Sequence, residues 1–68
     1  MYKSVLTGRE KEIFILLTHN KTTKEIAKTL NTSEKTVRNH ISNTMQKLGV
    51  KGRAAAVVEL IKLNEISL

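Results

Sequence analysis

Arg38 and Asn39 are adjacent in the chain, with Lys35 one helical turn before them and Ser42 one turn after. Each of these side chains ends in a group that suits a nucleic acid. An arginine guanidinium can bond guanine O6 and N7 bidentately, and an asparagine amide can do the same with adenine N6 and N7. A serine hydroxyl one turn further on reaches a base edge or a bridging water. Lysine, threonine and asparagine placed towards the edges of such a row suit phosphate oxygens, which position a protein without reading sequence.

Other chemistries lack the residues they need. The chain has no Cys, which excludes disulfides and thiolate zinc sites. It has no Asp, and His19 and His40 lie far apart with no cluster of His and Glu at ligand spacing. A nuclease or other enzyme therefore has no inventory to work with, and neither a metal nor a cofactor is expected.

The row must be carried by a helix. Ser33 is an N-cap residue, and Gly49 suits the left-handed position after a helix end. Between them Val37, Ile41, Thr44, Met45 and Leu48 fall on one stripe at about 100° per residue, which turns towards a core. The opposite side carries Lys35, Arg38, Asn39, Ser42, Asn43 and Gln46 and no carboxylate. Solvated faces usually mix Glu with Lys, because such pairs stabilise a helix. Arg38, Asn39 and Ser42 are thus the expected base readers, and Lys35, Thr36, Asn43 and Lys47 the expected phosphate contacts. His40 stands between two roles, a phosphate contact or packing beside the second helix.

Around this element three more helices are legible. Thr7 with Glu10, and Thr22 with Glu25, form capping boxes that open the first two. The expected spans are 8–18, 23–30, 34–48 and 53–63, a single domain over 1–68. Asn31 and Thr32 supply a short turn between the second and third helices, so the pair reads as a helix-turn-helix. Free N–H groups at the starts of those two helices favour phosphate, and Thr22, Thr23, Lys24 and Ser33 are placed to add to them. The bland assignments are Met45 to the core, Lys28 and Lys62 to solvent, and His19 to a helix C-terminus.

Charge points the same way. Of the net +6, residues 21–53 hold Lys21, Lys24, Lys28, Lys35, Arg38, Lys47, Lys51 and Arg53 against only Glu25 and Glu34. Positive charge concentrated on one part of a domain is the footprint expected of a face that meets a polyanion. With no Pro, no Trp, and only Tyr2 and Phe14 aromatic, the composition favours an all-α fold. No apolar run approaches the ~20 residues of a membrane span, and no secretory leader is visible. The expected compartment is the cytoplasm, at the nucleoid.

A chain of 68 residues hides only about 60% of the surface its unfolded form exposes, so its core is marginal. With disulfide and metal excluded, a partner chain is the remaining support. The fourth helix is apolar over most of its circumference, and Lys62, Glu59 and Ala55 mark its only wet side. A homodimer through Val57, Val58, Leu60 and Ile61 would cover it and present two reading helices to two half-sites. The alternative is that Ile66 and Leu68 fold back over it.

The residues now in hand resemble the LuxR-type helix-turn-helix family. The matching segments are Leu6-Thr7 with Arg9-Glu10, Thr23 to Ala27, Ser33 to Val37, His40 to Asn43, and Lys47 to Val50. They occur in order and at the family's spacing across nearly the whole chain. The resemblance implies a bacterial transcription regulator with four helices that reads double-stranded DNA through the major groove and dimerises through its fourth helix. It places Arg38, Asn39 and Ser42 over bases, with Lys35, Thr36, His40 and Asn43 near the backbone. Within the family the chain is most similar to a stand-alone regulator of sporulation, which implies control of spore-coat genes. If Met1 is the native start, no receiver or ligand-binding domain precedes the module; no small-molecule ligand is then expected, and activity follows abundance. Two residues depart from the pattern. Thr32 stands where the family places Ile or Val, and Gly8 opens the first helix.

The competing function is an adaptor that engages RNA polymerase or another part of the transcription machinery through the fourth helix. Such a protein has no use for a strip of Arg, Asn and Ser, and the strip favours DNA.

Overall fold

In a computed structural model of the chain, residues 6–67 are described, and among them four helices and no strand occur: α1 (Gly8–Thr18), α2 (Thr23–Thr29), α3 (Glu34–Leu48) and α4 (Arg53–Lys62). The starts of α1, α2 and α3 follow from their caps, whereas α4 starts after Gly52 with no side-chain cap. Thr7 Oγ1 accepts from the Glu10 N–H at 3.2 Å, while the Thr7 N–H donates to Glu10 Oε1 at 2.9 Å. Thr22 and Glu25 repeat the box at 3.1 and 2.9 Å. Ser33 Oγ accepts the Thr36 N–H at 3.1 Å and opens α3. Each box satisfies donors that a helix start leaves without partners.

All four helices close by one device. Asn20 (φ 64°), Asn31 (56°), Gly49 (68°) and Asn64 (59°) adopt the left-handed conformation just past each end. The residue after each then donates its N–H five residues back: Lys21 to Leu16, Thr32 to Ala27, Val50 to Met45, and Glu65 to Leu60. This is the Schellman closure, and Gly and Asn are the residues that adopt the required φ at least strain. α2 and α4 end one residue before the expected 30 and 63, because Leu30 and Leu63 act as C-caps.

α3 is the central element, packed against α1, α2 and α4. The core joins Leu6, Ile13, Phe14, Ile26, Ala27, Val37, Ile41, Ala56, Leu60 and Ile66. Val37, Ile41 and Thr44 are the buried members of α3, and Met45 and Leu48 lean on the same cluster. Thr44 is accommodated because its Oγ1 donates to the His40 carbonyl at 2.9 Å. Thr32, half-buried, adds no large apolar group to the turn between α2 and α3, and its 2.8 Å bond to Ala27 helps hold that turn.

One residue expected at the dimer interface lies inside the core instead. Leu60 is fully buried beside Ala56 in the chain's own core and offers nothing to a partner. Ile66 does return to the body and is buried, whereas Leu68 lies outside the described residues. The return of Ile66 leaves Val58 52% exposed.

Candidate nucleic-acid interface

The stripe that turns α3 inward leaves a defined row outside. Lys35, Arg38, Asn39, Ser42, Asn43 and Gln46 are all exposed, whereas Thr36 and His40 are half-buried at its margin. The expected base readers Arg38, Asn39 and Ser42 thus share one exposed side of one rigid helix. Thr23 is half-buried, and Thr22 and Lys24 are exposed at the start of α2.

Hydrogen bonding narrows what each group can offer. Ser33 Oγ accepts the Thr36 N–H and donates to Thr36 Oγ1 at 2.9 Å, so its one proton is already used. That arrangement leaves the Thr36 hydroxyl proton to donate outward. At α2 the Glu25 carboxylate accepts the Thr22 N–H. This bond, with that to the Thr22 hydroxyl, holds the Glu25 carboxyl below its ordinary pKa. A carboxylate therefore sits beside Thr22, and its charge opposes an anion there.

Two ion pairs alter the sequence reading of α3. Arg38 Nη1 donates to Glu34 Oε2 at 3.0 Å. The strip expected to be free of carboxylate is therefore met by one at its leading end, because two long side chains at i and i+4 bridge the edge of the face. The second pair joins Lys47 Nζ to Glu10 Oε1 at 2.7 Å. Lys47, expected on phosphate, thus aims its ammonium at α1 and neutralises a carboxylate that is only 4% exposed. Burial pushes the Glu10 carboxyl up, but hydrogen bonds from Lys47 and Thr7 and the Lys47 charge outweigh it and hold the pKa below its ordinary value. Glu34 was visible as an i,i+4 partner of Arg38. No local signal joins positions 10 and 47.

On α4, Val58 is exposed and Val57 and Ile61 are half-buried against the core. Ala54 and Ala55 are exposed on the same helix. Three of the four expected interface residues therefore remain available at the surface. A further shallow apolar groove of about 260 Å³ lies between α1 and α2, lined by Glu12, Ile15, Leu16, Thr29 and Leu30. Among the described residues no group of His, Cys, Asp or Glu could hold a metal ion, and no helix is long and apolar enough to cross a membrane.

A short α2, a four-residue connection with a left-handed Asn31, and a longer α3 that exposes Arg, Asn and Ser make a helix-turn-helix DNA-binding domain. Residues 4–60 match the family described as bacterial regulatory proteins, luxR family, and the chain belongs to it. It is 67% identical over 66 residues to the spore germination protein GerE of Bacillus subtilis, covering 97% of this chain and 89% of that protein. A solved structure of the transcription factor GerE superposes with a TM-score of 0.93 at 62% identity, covering 96% of this chain and 97% of that one. Longer regulators match as well. The transcriptional regulatory protein DegU of Brevibacillus brevis is 48% identical over 85% of this chain, and the nitrate/nitrite response regulator NarP of Escherichia coli 46% identical over 81%. This chain spans only 25% and 26% of those two proteins. The chain is a DNA-binding transcription regulator of the LuxR/GerE type.

Proposed function

We propose that α3 enters the major groove and reads sequence through Arg38 and Asn39, with Ser42 one turn behind them. The observation that carries this reading is the exposed row of Arg38, Asn39 and Ser42 opposite the buried stripe of Val37, Ile41 and Thr44. Lys35, Thr36, His40 and Asn43 flank the row and contact phosphate, with Thr23 and Lys24 adding contacts from α2, whereas Thr22 is kept from that role by the Glu25 carboxylate beside it. Ser33 serves by orienting Thr36. Lys47 is left out of this set, because its ammonium already neutralises Glu10.

The functional unit in this reading is a homodimer formed through Val57, Val58 and Ile61, which presents two reading helices to two half-sites. Its setting is the bacterial cytoplasm at the nucleoid, and its targets are genes of spore formation, as the similarity to a spore germination protein suggests. Contact with RNA polymerase would use surface left free by DNA and partner. The exposed Val58 equally suits an adaptor that works through α4 alone. Selection of bound duplexes from a random pool, repeated with Arg38→Ala, separates the two. A defined motif that degrades at one position supports the reader, and no enrichment supports the adaptor.

A further inference from the structure

Glu34 is the acidic residue of the first turn of α3, and its carboxylate holds one nitrogen of the Arg38 guanidinium. Helix stability alone gives a weak reason for the pair, since both side chains are well solvated, 39% and 56% exposed. Against that reason stands its position. A carboxylate at the leading end of a helix that approaches phosphates is repelled by them, and it lowers affinity for every duplex alike. The geometry of the bond supplies a stronger reason.

A guanidinium offers five N–H donors in a rigid fork. Glu34 engages Nη1. The Nε–H and the Nη2 donors, which form the opposite edge of the fork, are engaged by no other hydrogen bond among the described residues. Two parallel donors on one edge are what guanine O6 and N7 require. A free arginine must freeze several torsions to present that edge, whereas an arginine already tethered at Nη1 has part of its freedom removed before binding.

We propose that Glu34 is a positioning residue for Arg38. It holds Nη1 so that the Nε–Nη2 edge faces a guanine, and it penalises binding wherever no guanine is there to use that edge. Specificity rises and non-specific affinity falls through one carboxylate. The proposal rests on Arg38 as a base reader and adds the residue that sets how sharply it reads.

The test is a double-mutant cycle on the full chain. Dissociation constants for a selected duplex and a random duplex of equal length are measured by fluorescence anisotropy for wild type, Glu34→Gln, Arg38→Ala and the double variant. Glu34→Gln should tighten binding to random DNA and lower the ratio of selected to random affinity by about three- to tenfold. In the Arg38→Ala background the same change should leave the ratio where Arg38→Ala alone put it. If Arg38→Ala lowers the ratio but Glu34→Gln does not, or if Glu34→Gln acts equally in both backgrounds, the positioning role is overturned and the reader stands. If Arg38→Ala itself leaves the ratio intact, the reader assignment falls and the proposal with it.

Discussion

The Lys47 ammonium lies 2.7 Å from the Glu10 carboxylate, joining the C-terminal turn of α3 to the first turn of α1 across 37 positions of sequence. The same Glu10 oxygen also accepts the Thr7 N–H. One buried carboxylate thus starts α1 and fixes it against α3.

Removing the cation should destabilise the domain without touching DNA affinity. Breaking a fully buried pair costs about 3–5 kcal/mol. Lys47 is 38% exposed, so solvent and a shifted side chain relieve part of that, and Lys47→Ala is expected to cost about 1–2 kcal/mol. Urea unfolding measures this. At temperatures where the variant is folded, the salt dependence of DNA binding should match wild type, whereas loss of a phosphate contact would lower its slope by about one.

Acid should weaken the fold through the same carboxyl. Its folded pKa lies below its ordinary value, so the stability it contributes is fully present above the unfolded pKa of about 4.3. That stability is lost as pH falls through the folded value. Urea midpoints followed from pH 7 downwards should fall below about pH 5, with a shallower fall in Glu10→Gln.

Two neighbouring apolar residues of α4 should behave in opposite ways. Leu60 is fully buried, and Leu60→Ala is expected to cost about 2–5 kcal/mol, a large share of a small domain's stability. Val58 is 52% exposed, and Val58→Asp should stay folded while losing self-association. Sedimentation analysis with circular dichroism distinguishes the outcomes. A wild type that sediments as a monomer at high micromolar concentration contradicts the dimer.

The turn of the helix-turn-helix offers a backbone test. Asn31 holds φ 56°, where a Cβ is strained and a glycine is not. Asn31→Ala should cost about 1–2 kcal/mol and Asn31→Gly much less, by urea unfolding.

What was legible in the sequence follows from the range of the forces involved. Thr7 with Glu10, Thr22 with Glu25, Asn31, Ser33 and Gly49 act over three to five residues, and most bounds of the first three helices could be read from them. The periodicity of Val37, Ile41 and Thr44 likewise oriented α3, because its polar and apolar sides differ strongly. α4 is apolar nearly all round, so periodicity could not set its rotation; only packing against α3 shows that Leu60 is inside and Val58 outside. The Lys47 and Glu10 pair depends on how α1 docks, which no local pattern encodes. Glu34 was within reach of a sequence argument, yet a projection of Cβ directions understates how far Glu and Arg side chains bend towards each other.

In the proposed reading the outer row of α3 meets the bases, with Arg38 as its principal reader. The most direct measurement is the affinity of Arg38→Ala for the selected duplex and for random DNA at one salt concentration. The expected result is a loss of about 1–3 kcal/mol on the selected duplex, a much smaller loss on random DNA, and relaxed preference at one base pair. An equal loss on both duplexes would make Arg38 a phosphate contact and contradict that reading.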